Sequence, residues 1–195
     1  MKKILTVLMI VSALTVTSNV AHGQAWDKNT KVLVLDFGIS QFYHLDDYYY
    51  GNAKNHSYYS PYTGQINFQG EFGIHKYVGL GFTTGIGGRR GWQNGYSGEL
   101  NIPIGMIANF HFYQLIADKT GKNIHADKLD IYVGAEMGSG IAFTFYNYTN
   151  TVRLVPLAFG GVHAGIRYYF VPKVGVSCEI GWGKSFANVG FVFKL

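Results

Sequence analysis

Gln65-Ile66-Asn67-Phe68-Gln69-Gly70-Glu71-Phe72-Gly73-Ile74-His75, followed by Lys76-Tyr77 and then by Val78-Gly79-Leu80-Gly81-Phe82-Thr83, is the stretch that decides the fold. Ile66, Phe68, Phe72 and Ile74 share one parity, and Gln65, Asn67, Gln69, Glu71, Gly73 and His75 share the other. That is the period of a strand with two unlike faces. After the short connection, Val78, Leu80, Phe82 and Ile86 oppose Gly79, Gly81, Thr83 and Gly85, so the two runs read as a hairpin. The second face matters most, because it carries glycine, carboxamides and charge.

The pattern recurs along the chain. Leu33, Leu35, Phe37 and Ile39 oppose Asp36, Gly38 and Ser40. Leu100, Ile102, Ile104, Met106, Ala108, Phe110 and Phe112 oppose Glu99, Asn101, Gly105, Asn109 and His111, with Pro103 as a disturbance in mid-strand. From Leu129 to Ile141, Leu129, Ile131, Val133, Ala135 and Met137 oppose Asp130, Tyr132, Gly134, Glu136 and Gly138. Leu154 to Phe159 is apolar on both parities before Val162, Ala164, Ile166, Tyr168 and Phe170 oppose His163, Gly165 and Arg167; a bulge at Gly160-Gly161 accounts for the change. Val174, Val176, Cys178, Ile180 and Trp182 oppose Gly175, Ser177, Glu179, Gly181 and Gly183, and Ala187, Val189, Phe191, Phe193 and Leu195 oppose Asn188, Gly190 and Lys194.

In a soluble barrel the large apolar rows would fill the inside. Here the opposite rows are small and ionisable in nearly every segment, and eight such rows cannot make a dry soluble core without unpaired charges. With the faces reversed, the apolar rows meet lipid and closure satisfies every backbone group. The sequence thus predicts an all-β fold: an eight-stranded antiparallel up-and-down transmembrane β-barrel after an N-terminal signal peptide. Short connections at Lys76-Tyr77 and Val171-Pro172-Lys173 alternate with long ones at Phe42 to Gly64, Gly87 to Ser97 and Ala142 to Val152, which would be extracellular; Tyr113 to Lys128 is a long exception on the short side.

The amino terminus agrees. Met1-Lys2-Lys3 precedes a mostly apolar run from Ile4 to Val20, with small residues at Ala21, Gly23 and Ala25, the layout of a cleaved secretory signal. Residues 1–23 are read as the signal peptide and 24–195 as one outer-membrane barrel domain. Composition fits: Gly 26, Tyr 15, Phe 14 and only 14% charged residues, against about 25% in soluble domains. Without Lys2 and Lys3 the net charge falls from +5 to +3, too mild to indicate nucleic acid. Cys178 is alone and forms no internal disulfide.

With those features in hand, the mature chain resembles the eight-stranded outer-membrane β-barrel family, the OmpA/OmpX-like porin-family barrels and in particular those of Bacteroidetes-type bacteria. The resemblance rests on Gly70 to Phe82, on Ile102-Pro103-Ile104-Gly105-Met106-Ile107-Ala108-Asn109-Phe110, and on the carboxyl end. It implies a Gram-negative outer membrane, contact with its lipid and lipopolysaccharide, and an assembly signal at Asn188, Gly190, Phe193 and Leu195 read by the barrel-assembly machinery. It implies fold and place more than activity.

Three groups of residues are candidates for function. Asp36, Glu71, Glu136, His163, Arg167 and Glu179 are expected to form an ionic network inside the barrel, with Glu99, Asp130, His75, His111, Arg153 and Lys194 also inward; Glu179 is expected beside His163 and Arg167, with Glu136 reaching them. An unpaired buried charge costs several kcal/mol, so the network should be charge-paired. Tyr48, Tyr49, Tyr50, Tyr58, Tyr59 and Trp92, with Tyr62, Tyr96, Tyr146 and Tyr148, are partly an interfacial girdle and partly a possible recognition surface for a protein or glycan. His44, Asp46, Asp47, His56 and Ser57 could serve a lipid A-modifying enzyme, but show no nucleophile and base spacing. Gly85 to Gly91 lacks the helix a phosphate loop needs, although Arg89 and Arg90 could meet lipopolysaccharide. The seven scattered His residues lack metal-ligand spacing. The expectation is a non-enzymatic barrel without cofactor, acting through its loops in adhesion, recognition or envelope stability. A narrow pore for ions or small solutes is the alternative, and lipid A modification is third.

Overall fold

The computed structural model describes residues 24–40, 43–44, 64–89, 96–121, 124–146 and 151–195. The strands are β1 (Lys31–Ser40), β2 (Tyr43–His44), β3 (Gly64–His75), β4 (Val78–Arg89), β5 (Tyr96–Phe110), β6 (Leu129–Tyr146), β7 (Thr151–Val171), β8 (Val174–Gly181) and β9 (Ser185–Lys194), with one helix, α1 (Phe112–Thr120). Antiparallel ladders run from β1 through β3, β4, β5, β6, β7 and β8 to β9, and β9 pairs back with β1. Eight strands therefore close into a barrel, as the alternation predicts. The two-residue β2 lies on β7 at Ala158 and Leu157, beyond the point where β8 ends opposite His163.

The faces are inverted. Phe37, Ile66, Phe72, Ile104, Met106, Met137, Ile166, Ile180, Val189 and Phe191 are exposed on the outer wall, while Asp36, Asn67, Glu71, Asp130, Glu136, Arg167 and Glu179 are buried within. No helix among the described residues is long and apolar enough to cross a membrane, and the exposed apolar rows lie on the strands. This is the architecture of a transmembrane barrel.

Four local expectations need correction. His75 does not point inward: the register shifts between Gly73 and His75, which turns the imidazole out of the inner row and exposes it. There is no bulge at Gly160-Gly161, because the β6–β7 ladder runs in register from Tyr146/Thr151 to Leu129/Tyr168. Val155, Leu157 and Phe159 are instead buried inside, where Gly105 and Gly138 leave room: a Cβ on either would come within 2.6 Å of the Phe159 ring. Most of the predicted loop at Ala142 to Val152 is strand, with Ala142 and Thr144 continuing the inward row. The connection after β5 folds as α1, which takes in Phe112, buries Gln114 and Ala117 three residues apart, and ends on a left-handed Gly121 whose N–H meets Ala117 O.

Pro103 sits in a central strand because the ladder yields to it. Pairing between β4 and β5 lapses between Thr84/Ile104 and Gly87/Asn101, where proline has no N–H to give. Thr84 Oγ1 donates to Pro103 O at 2.9 Å instead.

Candidate functional site: the plugged lumen

An eight-stranded barrel is narrow enough to be filled by its own side chains, and here the filling is ionic, in two layers. The layer nearer the short turns joins Glu71 of β3, His111, Asp130 of β6 and Arg167 of β7. Asp130 and Arg167 are direct cross-strand partners. Arg167 Nη2 donates to Glu71 Oε2 at 2.6 Å and Nη1 to Asp130 Oδ2 at 3.5 Å. His111 places Nε2 2.9 Å from Glu71 Oε1 and Nδ1 2.8 Å from Asp130 Oδ1. A carboxylate at each ring nitrogen is the setting an imidazolium satisfies, since only the cation donates from both. Two carboxylates thus face a guanidinium and an imidazole in a closed square.

The second layer lies toward the loops. Lys184 Nζ donates to Glu136 Oε2 at 2.9 Å, to Gln69 Oε1 at 2.8 Å and to Glu179 Oε1 at 3.4 Å. The backbone N–H of Lys184 also donates to Glu136 Oε1 at 2.6 Å. Gly183, at φ +156, directs the bend that turns Lys184 inward, and a Cβ there would lie 2.0 Å from Glu136 Oε1. Asn188 Nδ2 donates to Glu179 Oε1 at 3.3 Å, and Asn67 Nδ2 serves Asp36, Asn188 and Ser185 at 2.8, 3.0 and 3.3 Å. Gln65 donates to Asn67.

Tyr132 couples the layers. Its hydroxyl donates to Glu179 Oε2 at 3.0 Å, while its ring lies 4.3 Å from the Arg167 guanidinium carbon. A Cβ at Gly165 would stand 2.2 Å from Tyr132 Cζ, so glycine makes the ring's seat.

All six residues expected in the network are buried inside; Glu179 lies beside His163 as expected, and the partners of Arg167 and Glu136 differ from expectation. His163 Nε2 is 3.8 Å from Glu179 and 2.8 Å from Asn109 Oδ1. Arg167 belongs to the Glu71–Asp130 layer rather than beside Glu179, because Tyr132 stands between, and Glu136 is held by Lys184. Glu99, Asp130 and His111 are also buried, Lys194 is half-buried at the turn end over the Tyr169 ring, and the Arg153 side chain lies outside the described residues.

Sequence reasoning missed Lys184 and Trp26. Trp26, wholly buried, stacks on His111 with centroids 3.6 Å apart and planes 5° off parallel. Residues 24–30 fold across the turn end: Ala25 N–H meets Ala126 O, and Asn29 N–H meets Gly73 O. A Cβ at Gly79 would meet Trp26 Cη2 at 2.8 Å. Beside this floor, Asp118 of α1 accepts from Lys76 at 2.8 Å, from the Tyr77 hydroxyl at 2.8 Å and from Gln24 at 2.8 Å. Partial desolvation pushes the Asp118 carboxyl up, but these donors outweigh it and hold it below the usual aspartate value. Asp118 in turn raises Lys76 and Tyr77.

The loop end differs inside. Ala142, Val155, Leu157 and Phe159 form an apolar cluster on β6 and β7, while β3, β4 and β5 bring Gln65, Thr83 and Asn101, each with a buried polar atom that lacks a partner. The loop aromatics Tyr48, Tyr49, Tyr50, Tyr58, Tyr59 and Trp92 lie outside the described residues, as do Asp46, Asp47, His56, Ser57, Arg90 and the signal segment 1–23; of His44 only the backbone pairing is described. Asn188 and Gly190 are buried in β9, Phe193 is half-buried, and Leu195 is exposed.

No protein-family profile matches the sequence, and no curated protein sequence matches it. Solved structures do. The N-terminal β-barrel domain of Pseudomonas aeruginosa OprF matches at TM-score 0.52 and 13% identity, over 86% of this chain and 98% of that one. Ail, the attachment invasion locus protein of Yersinia pestis, gives 0.49 and 9%, over 86% and 95%. Neisserial surface protein A gives 0.48 and 11%, over 84% and 93%. The likeness to the OprF domain is one of fold.

Proposed function

We propose that this chain is an outer-membrane β-barrel of the OmpA/OmpX-like eight-stranded class, exported through a cleaved signal peptide. In this reading it is non-enzymatic and serves as a closed scaffold whose loops face the exterior in adhesion, recognition or envelope stability. The observation that carries the reading is the plug: two layers of buried ion pairs fill the lumen while the apolar rows face outward. With Arg167, Lys184 and their carboxylates filling the lumen, the rim is the surface left for meeting partners. The partners that suit such a rim are lipopolysaccharide and a surface protein or glycan met by Tyr48, Tyr49, Tyr50, Tyr58, Tyr59 and Trp92. Assembly through Asn188, Gly190, Phe193 and Leu195 accords with the place of β9, the strand that closes the barrel onto β1.

The test has two steps. The outer-membrane fraction is run on a gel cold and boiled, where a closed barrel changes mobility only after heating. The folded protein is then placed in a planar bilayer; silence at modest voltage fits the scaffold. A narrow pore is the second reading, favoured by the partnerless Gln65 Oε1, Thr83 Oγ1 and Asn101 side chain along one inner wall, which are places for water to enter. Steady single-channel conductance decides for it.

A further inference from the structure

Among the side chains the structure describes, the charged ones that are not buried lie at the end carrying the short turns, α1 and the folded segment 24–30. The cations there are Lys28, Lys31, Lys76, Lys119, Lys128 and Lys173, with Lys194 turned in over Tyr169. Their anionic counterparts are Asp27, Asp118 and Asp127, and Asp118 is already held by Lys76.

Their placement is what tells. Each connection at this end supplies a lysine: the segment into β1 gives Lys28 and Lys31, the β3–β4 turn Lys76, the helical β5–β6 connection Lys119 and Lys128, and the β7–β8 turn Lys173. The cations therefore run around the whole circumference. Directly beside them the outer wall is apolar, with Ile74, Phe110, Phe170, Val171 and Leu195 exposed. A macromolecular partner docking from one side would meet a patch. A ring at the border of an apolar belt matches a ligand that surrounds the barrel, and lysine stems can lie along the apolar edge while the ammonium reaches a phosphate.

We propose that this lysine ring binds the headgroups of anionic phospholipids in the leaflet at the turn end, and so holds an annulus enriched in them. The proposal rests on the membrane reading above. It accounts for where these lysines are found, since a ring at the interface gains from anionic headgroups what it would lose in the hydrocarbon.

The experiment uses the folded full chain, reconstituted in phosphatidylcholine vesicles with about one-third phosphatidylglycerol, followed by mass spectrometry of the lipids retained on the released barrel. The wild type is expected to retain phosphatidylglycerol at about fivefold over its share of the mixture at low salt, and the excess should shrink as salt screens the ring. In the combined variant Lys28→Gln, Lys31→Gln, Lys119→Gln, Lys128→Gln, Lys173→Gln the excess should vanish while the heat-dependent gel shift persists. Retention in the bulk ratio by wild type, or the full excess in the variant, overturns the ring. Collapse of the excess on one single Lys→Gln change also overturns it, by pointing to one local pocket. If the combined variant does not fold, the wild-type salt series decides, and an excess indifferent to salt overturns the proposal. No heat shift in any vesicle would instead bring down the membrane reading, and the ring with it.

Discussion

The two ionic layers contain similar charges but are held in different ways. In the layer near the turns, Glu71, Asp130 and Arg167 come from strand interiors, and Asp130 faces Arg167 across one ladder rung. Those two carboxylates take their side-chain hydrogen bonds from Arg167 and His111. In the layer toward the loops, the central cation Lys184 sits in a bend, and its carboxylates have other donors: the Lys184 N–H for Glu136, and Tyr132 and Asn188 for Glu179. The lesson is that equal burial does not mean equal dependence. The cost of removing a cation is set by what the stranded carboxylates retain.

The largest effect is therefore expected at Arg167. Arg167→Met leaves Glu71 and Asp130 with His111 between them, and removing one partner of a buried pair costs about 3–5 kcal/mol. Urea unfolding of the detergent-folded barrel, followed by loss of the heat-shifted band, measures it. Lys184→Met should cost less, about 2 kcal/mol, because its side chain goes but the backbone donor to Glu136 stays. If Lys184→Met proves the more damaging of the two, the difference in dependence argued between the layers is wrong.

Third in size is the floor beneath the first layer. Trp26→Ala removes a buried indole from His111, and full truncation of a core tryptophan costs about 3–5 kcal/mol. Trp26, however, belongs to the segment before β1, which can leave without opening the barrel, so the global cost should stay at about 1–2 kcal/mol. Most of the change should instead appear as faster proteolysis at residues 24–30. Quenching separates inside from outside in the same molecule. Brominated lipid should quench Trp182, half exposed on the outer wall, and spare Trp26; equal quenching would mean that the segment does not occupy the lumen.

How much of this was legible beforehand follows from how each residue is positioned. The inner rows were legible because strand parity alone places Asp36, Glu71, Glu136, His163, Arg167 and Glu179 on one face. Partner choice was not, since parity says nothing about which side chains meet across a filled lumen; Tyr132 divides Arg167 from Glu179 by bulk. Lys184 escaped because a bend breaks the period, although Gly181 and Gly183 beside it signalled close packing. Trp26 escaped for a similar reason, as it precedes the first alternating run. The apolar inward turn of Val155, Leu157 and Phe159 required knowing that Gly105 and Gly138 lie opposite, which only the register supplies.

The smallest expected effect lies outside the lumen, where water competes. Asp118 ties α1 to Lys76, Tyr77 and Gln24, but its side chain keeps 19% exposure and Lys76 keeps 44%. Such solvent-screened pairs contribute little. Asp118→Asn should therefore leave the barrel's unfolding midpoint almost unchanged at neutral pH, and raise hydrogen exchange in α1 and at the Lys76-Tyr77 turn. The pH sense follows from the lowered carboxyl. A carboxyl that titrates lower in the folded chain than its ordinary value of 3.8 stabilises above that value, and the contribution is lost as pH falls through the folded pKa. The exchange difference between wild type and Asp118→Asn should thus be full at neutral pH and close in acid below the folded pKa. A difference that survives such acid would assign the tether to hydrogen-bond geometry alone, and would remove charge from the account of how this end is held.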